Sequence, residues 1–179
     1  APETAGGTPI ISIHSDIYQV GCTAYRLLNG ISNLKNEFIA LGLATYEEKK
    51  AKGKIPDGGK YQPFVPSRLK IVINRSLNID PNSRYSSALD MRKKIKKLHF
   101  PGYWTADSSS NLIGIGNKYT YQFEVEAKPG DIFNLHASKK SCVSGNITKV
   151  GDFTVKKLTE KQLEKLRNEF ISWVVENAN

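Results

Sequence analysis

The side chains that most often carry chemistry are few and widely separated in this sequence. A zinc site requires several histidines or cysteines at short, regular spacings, and no such spacing occurs among the three histidines and two cysteines. The spacing also nominates no Ser/His/Asp or Cys/His triad. The sequence therefore predicts no catalytic, metal-binding or cofactor-binding residue in this chain. The residues considered are His14, His99, His136, Cys22 and Cys142.

Glycines and lysines are concentrated between Lys52 and Lys60, where the sequence is Lys-Gly-Lys-Ile-Pro-Asp-Gly-Gly-Lys. A phosphate-binding loop follows a strand and ends in Lys-Ser or Lys-Thr. No strand pattern precedes this stretch, and no such dipeptide follows it. We therefore predict a mobile, basic loop rather than a phosphate site.

The first hundred residues are organised around one predicted helix, which runs from about Ser15 to Gly30. Its apolar residues recur every three or four positions, and two tyrosines widen the apolar face, so we expect burial on most sides. Ser15 or Asp16 is predicted to cap the N terminus, and Gly30 to end the helix in a left-handed conformation. The apolar set is Ile17, Val20, Gly21, Ala24, Leu27 and Leu28, and the tyrosines are Tyr18 and Tyr25.

This helix resembles the long central helix in the large lobe of eukaryotic-like Ser/Thr protein kinases. That helix carries an Asp near its start and a Gly five residues later, here Asp16 and Gly21. Ala1-Pro2-Glu3 is similar to the APE motif that closes the kinase activation segment. Residues 77–84, Leu-Asn-Ile-Asp-Pro-Asn-Ser-Arg, are similar to a late segment of the same lobe. Because the three motifs stand in the expected order, we predict that residues 1–99 are the C-terminal part of such a lobe.

The resemblance implies structural roles for Glu3, Arg84, Asp16 and Gly21. Glu3 and Arg84 are expected to form a buried ion pair, since a carboxylate and a guanidinium can join through two parallel hydrogen bonds. The alternative is two exposed charges without a role. In the kinase fold the matching Asp also holds the catalytic loop, which would lie upstream. Asp16 is therefore expected to keep only its capping role.

The kinase groups that bind ATP and Mg²⁺ are absent from this sequence. They are the Gly-rich loop, the strand Lys, the His-Arg-Asp loop and Asp-Phe-Gly. We therefore expect no cofactor in this chain, which is predicted to be inactive alone, and expect ATP and Mg²⁺ for the full-length parent. The resemblance also implies a substrate- or partner-docking helix within residues 31–68.

The sequence pattern changes at residues 100–104, Phe-Pro-Gly-Tyr-Trp, from helical to alternating. We predict a boundary there, between residues 1–99 and an accessory domain of residues 100–179. The predicted fold class is α+β, with an all-helical kinase-like unit followed by a small antiparallel sheet and one C-terminal helix. No family resemblance is found for residues 100–179.

A β-hairpin is the clearest feature of the accessory domain. Apolar and polar residues alternate over residues 119–127, and Lys128-Pro129-Gly130-Asp131 is a turn by residue type. Further strands are predicted at residues 112–115 and 147–155, which gives a sheet of about four strands. Thr159 and Gln162 fit a capping box that starts the last helix.

Charge and composition set limits on location and partners. The net charge is +9, which favours acidic partners, although lysines that merely solvate the surface are the favoured explanation. No run of eighteen apolar residues exists that could span a membrane. Two distant cysteines favour a reducing compartment, so we expect a cytoplasmic protein with no membrane contact.

Three functions are compatible with these patterns. The leading hypothesis is the C-terminal portion of a Ser/Thr protein kinase, a transferase, with an accessory domain for regulation or recruitment. The second is a non-catalytic protein-interaction module that uses residues 31–64 and the sheet domain. Nucleic-acid binding, with Tyr103, Trp104 and Tyr119 as stacking groups, ranks last. The expected partners are a protein substrate or regulatory protein, and self-association is expected through surface that the rest of a kinase would cover.

Overall fold

The chain divides into two units, Ala1–Leu98 and His99–Asn179. The structure is a computed structural model that describes residues 1–4, 11–30, 32–109 and 111–178, with only the backbone of residues 32–34. The division falls one residue before the predicted boundary. The α+β fold class is confirmed, because the first unit is helical and the second combines an antiparallel sheet with one helix.

Helices and irregular segments make up the described part of the first unit. One-turn 3-10 helices precede α1 and lie between α4 and α5. The helices are α1 (Ile13–Asn29), α2 (Ser32–Leu41), α3 (Leu43–Ala51), α4 (Ser67–Ser76) and α5 (Ala88–Lys96), and the 3-10 turns are Pro2–Thr4 and Pro81–Ser83.

Helix α1 begins earlier than predicted, and its cap is Ser12 rather than Ser15 or Asp16. The Ser12 hydroxyl accepts a hydrogen bond from the His14 backbone N–H, and the Ser15 hydroxyl accepts one from the Ser12 N–H. This reciprocal arrangement satisfies two backbone donors at the helix start. The capping role predicted for Asp16 is therefore wrong, because Asp16 is already the fourth helical residue. Gly30 follows the helix with φ 94°.

One side of α1 forms the core of the first unit. Ile17 packs with Val72 of α4 and Met91 of α5. On the other side Val20 is 50% exposed and Leu27 is 69% exposed. The expected burial on most sides is therefore wrong, because no described element of this unit covers these two residues.

The segment of residues 52–60, predicted to be a mobile loop, is anchored to α1. The Tyr18 hydroxyl donates a hydrogen bond to the Ile55 carbonyl at 3.2 Å, and the Tyr25 hydroxyl donates one to the Lys60 carbonyl at 2.9 Å. Ile55 is 1% exposed. The composition of this loop correctly indicated that it is basic. It gave no indication that Tyr18 and Tyr25 bind the loop backbone.

The second unit is an antiparallel sheet covered by a C-terminal helix. Strands β1 to β4 are each hydrogen-bonded to the next, and β5 and β6 both pair with β4. The strands of the described residues are β1 (Tyr103–Ala106), β2 (Leu112–Ile115), β3 (Tyr119–Lys128), β4 (Ile132–Ser141), β5 (Ile147–Lys149) and β6 (Val155–Leu158), and the helix is α6 (Glu160–Asn177).

Helix α6 packs its apolar side on the sheet. Phe170 and Val174 are fully buried and contact Tyr121 and Ala137 of the hairpin. The Trp104 indole N–H of β1 donates a hydrogen bond to the Ile171 carbonyl at 2.8 Å. The core of this unit therefore combines apolar packing with a polar contact at one end of the sheet.

The sheet has more strands than predicted, since six form among the described residues instead of about four. Strand β1 lacked a sequence signal, and residues 147–155 contain a 3-10 turn, Gly151–Phe153, that separates β5 from β6. Both short strands pair with one edge of β4. The capping box at the start of α6 is confirmed, because Thr159 and Gln162 each bond the other's backbone N–H.

Within the described ranges, no helix combines the length and the apolar character that crossing a membrane requires.

Candidate functional site

Glu3 and Arg84 form an ion pair with two parallel hydrogen bonds. Arg84 Nη1 lies 2.8 Å from Glu3 Oε1, and Arg84 Nη2 lies 2.8 Å from Glu3 Oε2. The Arg84 side chain is 0% exposed and the Glu3 side chain is 13% exposed. The pair joins residues 81 positions apart in the sequence, so it ties the N-terminal turn to the far end of the first unit.

All five N–H donors of the Arg84 guanidinium are used. Besides the two bonds to Glu3, Nε donates to the Asn78 carbonyl at 2.7 Å, Nη1 to the His14 carbonyl at 2.8 Å and Nη2 to the Ile79 carbonyl at 3.3 Å. A buried guanidinium is tolerated only when its charge and its donors are satisfied. This position therefore requires arginine, because lysine has no planar fork.

Short helical turns present both charged residues. Glu3 lies in the 3-10 turn Pro2–Thr4, and Arg84 directly follows the 3-10 turn Pro81–Ser83. Asp80 caps the second turn, where it accepts a hydrogen bond from the Asn82 N–H at 3.0 Å. The Asp80-Pro81 sequence, which starts this turn, thus sets the position from which Arg84 enters the core.

Two residues of α1 complete the site, and the sequence analysis assigned neither of them to it. The Ser15 hydroxyl donates to Glu3 Oε1 at 2.8 Å. The guanidinium carbon of Arg84 lies 4.8 Å from the centroid of the Tyr18 ring, within the range of a cation–π interaction. The spacing of Ser15 and Tyr18 could have indicated that both side chains reach the same site, since residues three apart lie on one face of a helix.

Hydrogen bonds from the Arg84 guanidinium and, to a smaller extent, from the Ser15 hydroxyl hold the pKa of the Glu3 carboxyl at about 2, below its usual range. Burial acts in the opposite direction but is outweighed. Burial raises the pKa of the Tyr18 hydroxyl. Glu3 is therefore ionised at neutral pH and suits a structural role rather than proton transfer.

Asp16 and Gly21 lie outside the ion pair. Asp16 is exposed and lines a groove of about 230 Å³ between α1 and α5, beside Ile13 and Met91. A Cβ atom at Gly21 would lie 2.2 Å from the Ser76 hydroxyl oxygen of α4. The absence of a side chain at Gly21 is what allows α1 and α4 to approach each other here.

The site carries charge but no reactive group that is free to act. In the described ranges, no three His, Cys, Asp or Glu side chains converge to hold a metal ion. The Glu3 and Arg84 charges neutralise each other. The ion pair can hold segments of backbone in place, because Arg84 also binds the carbonyls of His14, Asn78 and Ile79. We assign this structural role to the site.

Comparison with protein-family models gave no match, and no similar sequence was found among curated proteins.

Proposed function

We propose that residues 1–98 are the C-terminal part of the large lobe of a Ser/Thr protein kinase. Residues 99–179 are then an accessory domain for regulation or recruitment. The observation that carries the proposal is the buried bidentate ion pair between Glu3 and Arg84. These are the two residues that the APE motif and the late-lobe motif would pair.

The packing of α1 supports the same proposal. A central helix needs a close neighbour on one side and the rest of the lobe on the other. Gly21 provides the close approach to α4, and the exposed Val20 and Leu27 leave the other side of α1 for further contacts. In this proposal Asp16 lies on the side that faces the catalytic loop.

Helices α2 and α3 are the proposed docking region for protein substrates. Ile39 and Leu43 are each 65% exposed. Phe38 and Tyr46 form an edge-to-face ring pair, with centroids 5.2 Å apart, that links the two helices. Exposed apolar residues beside a fixed aromatic pair are suited to binding a protein partner.

The proposed reaction is transfer of a phosphoryl group from ATP to a protein hydroxyl, and it belongs to a longer protein. The groups that bind ATP and Mg²⁺ are proposed to lie in the rest of that protein. The chain alone is proposed to be inactive. We also propose that the protein acts in the cytoplasm.

A non-catalytic interaction module is the second candidate. The observation that favours it is the apolar groove between α1 and α5, which is lined by Ile17, Val20 and Ile95. Val20 is 50% and Ile95 is 42% exposed. In this case the groove serves protein contact, which includes the predicted self-association, and no phosphoryl transfer takes place.

The test is a phosphotransfer assay with ATP and Mg²⁺, run on this chain and on a version extended by the coding sequence preceding Ala1. We expect only the extended version to bind ATP and to phosphorylate serine or threonine in a protein substrate. Arg84→Lys in the extended version is expected to reduce the rate, because lysine cannot make the paired bonds to Glu3. Arg92→Lys, at an exposed position, is the control.

Failure of both versions to bind ATP would contradict the kinase proposal. The interaction module would then be tested by measuring the mass of the chain over a range of concentrations. Self-association that Val20→Ser weakens would support that second candidate.

A further inference from the structure

A basic pocket lies on the first unit between the end of α4 and helix α5. Its volume is about 350 Å³. It is distinct from both the ion pair and the apolar groove, and the proposed function does not use it. Its lining consists of Arg75, Tyr85, Ser86, Asp90, Lys93, Lys94 and Lys97.

The lysines reach the pocket because of their spacing on α5. Lys93, Lys94 and Lys97 are separated by one, three and four positions, so they lie on one face of the helix. Arg92 and Lys96 lie on another face, beside the apolar groove. Only some of the basic residues between 92 and 97 therefore line this pocket.

Arg75 is held in place beside these lysines. Its guanidinium carbon lies 4.5 Å from the centroid of the Tyr85 ring, and Nη2 donates to the Arg84 carbonyl at 3.5 Å. Tyr85 is 3% exposed, so the ring on which Arg75 stacks is fixed in the core. A positioned guanidinium loses less conformational entropy on binding an anion than a free one.

The single carboxylate among the described lining residues does not balance these charges. Asp90 accepts a hydrogen bond from the Ser86 hydroxyl, and this bond lowers the pKa of Asp90. The Lys93 ammonium lies 3.9 Å from Asp90. Among the described residues, Arg75, Lys94 and Lys97 have no carboxylate within salt-bridge distance. Like charges that converge in this way repel one another unless an anion binds.

We propose that this pocket binds the phosphate monoester of a phosphorylated protein segment. A phosphate group carries up to two negative charges and three acceptor oxygens, which matches a guanidinium beside three ammonium groups better than one carboxylate would. A single-stranded nucleic acid would in addition be bound by stacking of its bases on exposed aromatic side chains. The aromatic residue of the lining, Tyr85, is buried beneath Arg75. The proposal is independent of the kinase assignment.

The test measures binding of the full chain to a short fluorescent phosphoserine peptide by anisotropy. The unphosphorylated peptide and a Ser→Glu peptide serve as ligand controls, and inorganic phosphate is the competitor. We compare Lys94→Gln/Lys97→Gln with Arg92→Gln/Lys96→Gln. Both variants remove two charges from exposed positions in or directly after α5. They differ in whether the changed residues line the basic pocket or the apolar groove.

We expect the phosphopeptide to bind more tightly than both control peptides and to be displaced by inorganic phosphate. Lys94→Gln/Lys97→Gln is expected to weaken binding at least about tenfold, as for the loss of hydrogen bonds to a charged group. Arg92→Gln/Lys96→Gln is expected to leave the affinity nearly unchanged. The Met91 methyl NMR signal verifies that each variant is folded.

Equal weakening by the two double variants would overturn the proposal, because it would indicate diffuse charge attraction. Absence of phosphopeptide binding would overturn it as well. Tighter binding of a single-stranded oligonucleotide, with a steep dependence on salt, would assign the pocket to nucleic acid instead. None of these readouts depends on phosphotransfer, so failure here is distinguishable from failure of the kinase proposal.

Discussion

The largest fully buried side chain is charged in one unit of this protein and aromatic in the other. In the first unit the largest fully buried side chain among the described residues is Arg84, and in the second it is Phe170. Arg84 is held by five directed hydrogen bonds. Phe170 is held by apolar contact, with the Phe153 ring 5.1 Å away between centroids. The stability that Arg84 provides to the first unit therefore depends on specific hydrogen-bond partners. The stability that Phe170 provides to the second unit depends on the volume and shape of its side chain.

The two units also differ in net charge. Residues 1–98 carry 16 of the 26 Lys and Arg but only 8 of the 17 Asp and Glu, whereas residues 99–179 carry 10 and 9. The excess positive charge thus belongs to the helical unit. Interaction with anions is expected from that unit first.

The chain supplies separate probes for the two units. Its only methionine, Met91, is 3% exposed in the core of the first unit. Its two tryptophans, Trp104 and Trp173, both pack in the core of the second. The Met91 methyl NMR signal and tryptophan fluorescence therefore report unfolding of the two units individually.

Arg84→Leu, which keeps Met91 the only methionine, is expected to have the largest effect. It leaves the Glu3 carboxylate without its partner in a mostly buried position, which costs about 3–5 kcal/mol. The native Met91 signal should disappear at a much lower urea concentration than in the wild type. Arg92→Leu, which removes an exposed charge from α5, is the control, and an equal shift in the control would contradict this explanation.

Phe170→Ala should destabilise the second unit by a similar amount through a different mechanism. Removing a fully buried ring loses about 3–5 kcal/mol from burial and cavity formation. The fluorescence transition should move to lower urea. Phe170→Leu fills much of the volume and should recover most of the loss, since an apolar core responds to volume. A Leu variant as unstable as the Ala variant would show that ring contacts dominate.

Gly21→Ala tests close packing in the first unit. The added Cβ would lie 2.2 Å from the buried Ser76 hydroxyl oxygen, and overpacking of this kind costs about 1–3 kcal/mol. Gly151→Ala, where a Cβ would have no neighbour within 4 Å, is the matched control in the second unit. A Gly21→Ala variant with unchanged stability of the Met91 signal would mean that α1 and α4 separate without cost.

Acid should affect the first unit through Glu3. The pKa of Glu3 is about 2 in the folded chain against an ordinary value of 4.5, so the unfolded chain takes up this proton first as the pH falls. The stability contributed by Glu3 is complete above about pH 4.5 and is lost as the pH falls towards 2. Glu3→Gln should remove this part of the pH dependence of the Met91 transition.

The second unit contains a comparison for that measurement. A hydrogen bond from Lys128 holds the pKa of Glu126 at about 2 as well, but both side chains are 47% exposed. Salt of about 0.5 M should screen this exposed pair and leave the Glu3 contribution largely intact. If salt reduced the pH-dependent stability contributions of Glu3 and Glu126 equally, this result would contradict the burial of the Glu3–Arg84 pair.

Local pattern predicted the second unit well. The alternation of residues 119–127 and the turn at 128–131 correspond to the β3–β4 hairpin, and Thr159 with Gln162 starts α6. Strand β1 was missed, because four residues are too few for alternation to be informative. It is held by contacts with α6, such as the Trp104 indole hydrogen bond, that are distant in sequence.

The candidate site was predictable only in part. The pairing of Glu3 with Arg84 followed from the order of three motifs, and no local pattern indicates it. The carbonyls of His14, Asn78 and Ile79 that satisfy Arg84 have no signature, because any residue supplies a backbone carbonyl. The predicted cap was Ser15 or Asp16 rather than Ser12, because a helix of unknown start offers several polar residues as caps.

The central claim is that Glu3 and Arg84 stabilise the first unit as a pair. Its most direct test is a double-mutant cycle with Glu3→Gln and Arg84→Leu, read from the Met91 transition in urea. The exposed pair Lys165–Glu169 of α6, 3.8 Å apart and read from the tryptophan fluorescence transition, is the control. Helix pairs of this kind couple by about 0.3–0.5 kcal/mol. We predict a coupling of at least about 1 kcal/mol for Glu3 and Arg84, as for residues in one buried network. Additive effects, to within about 0.5 kcal/mol, would contradict the claim.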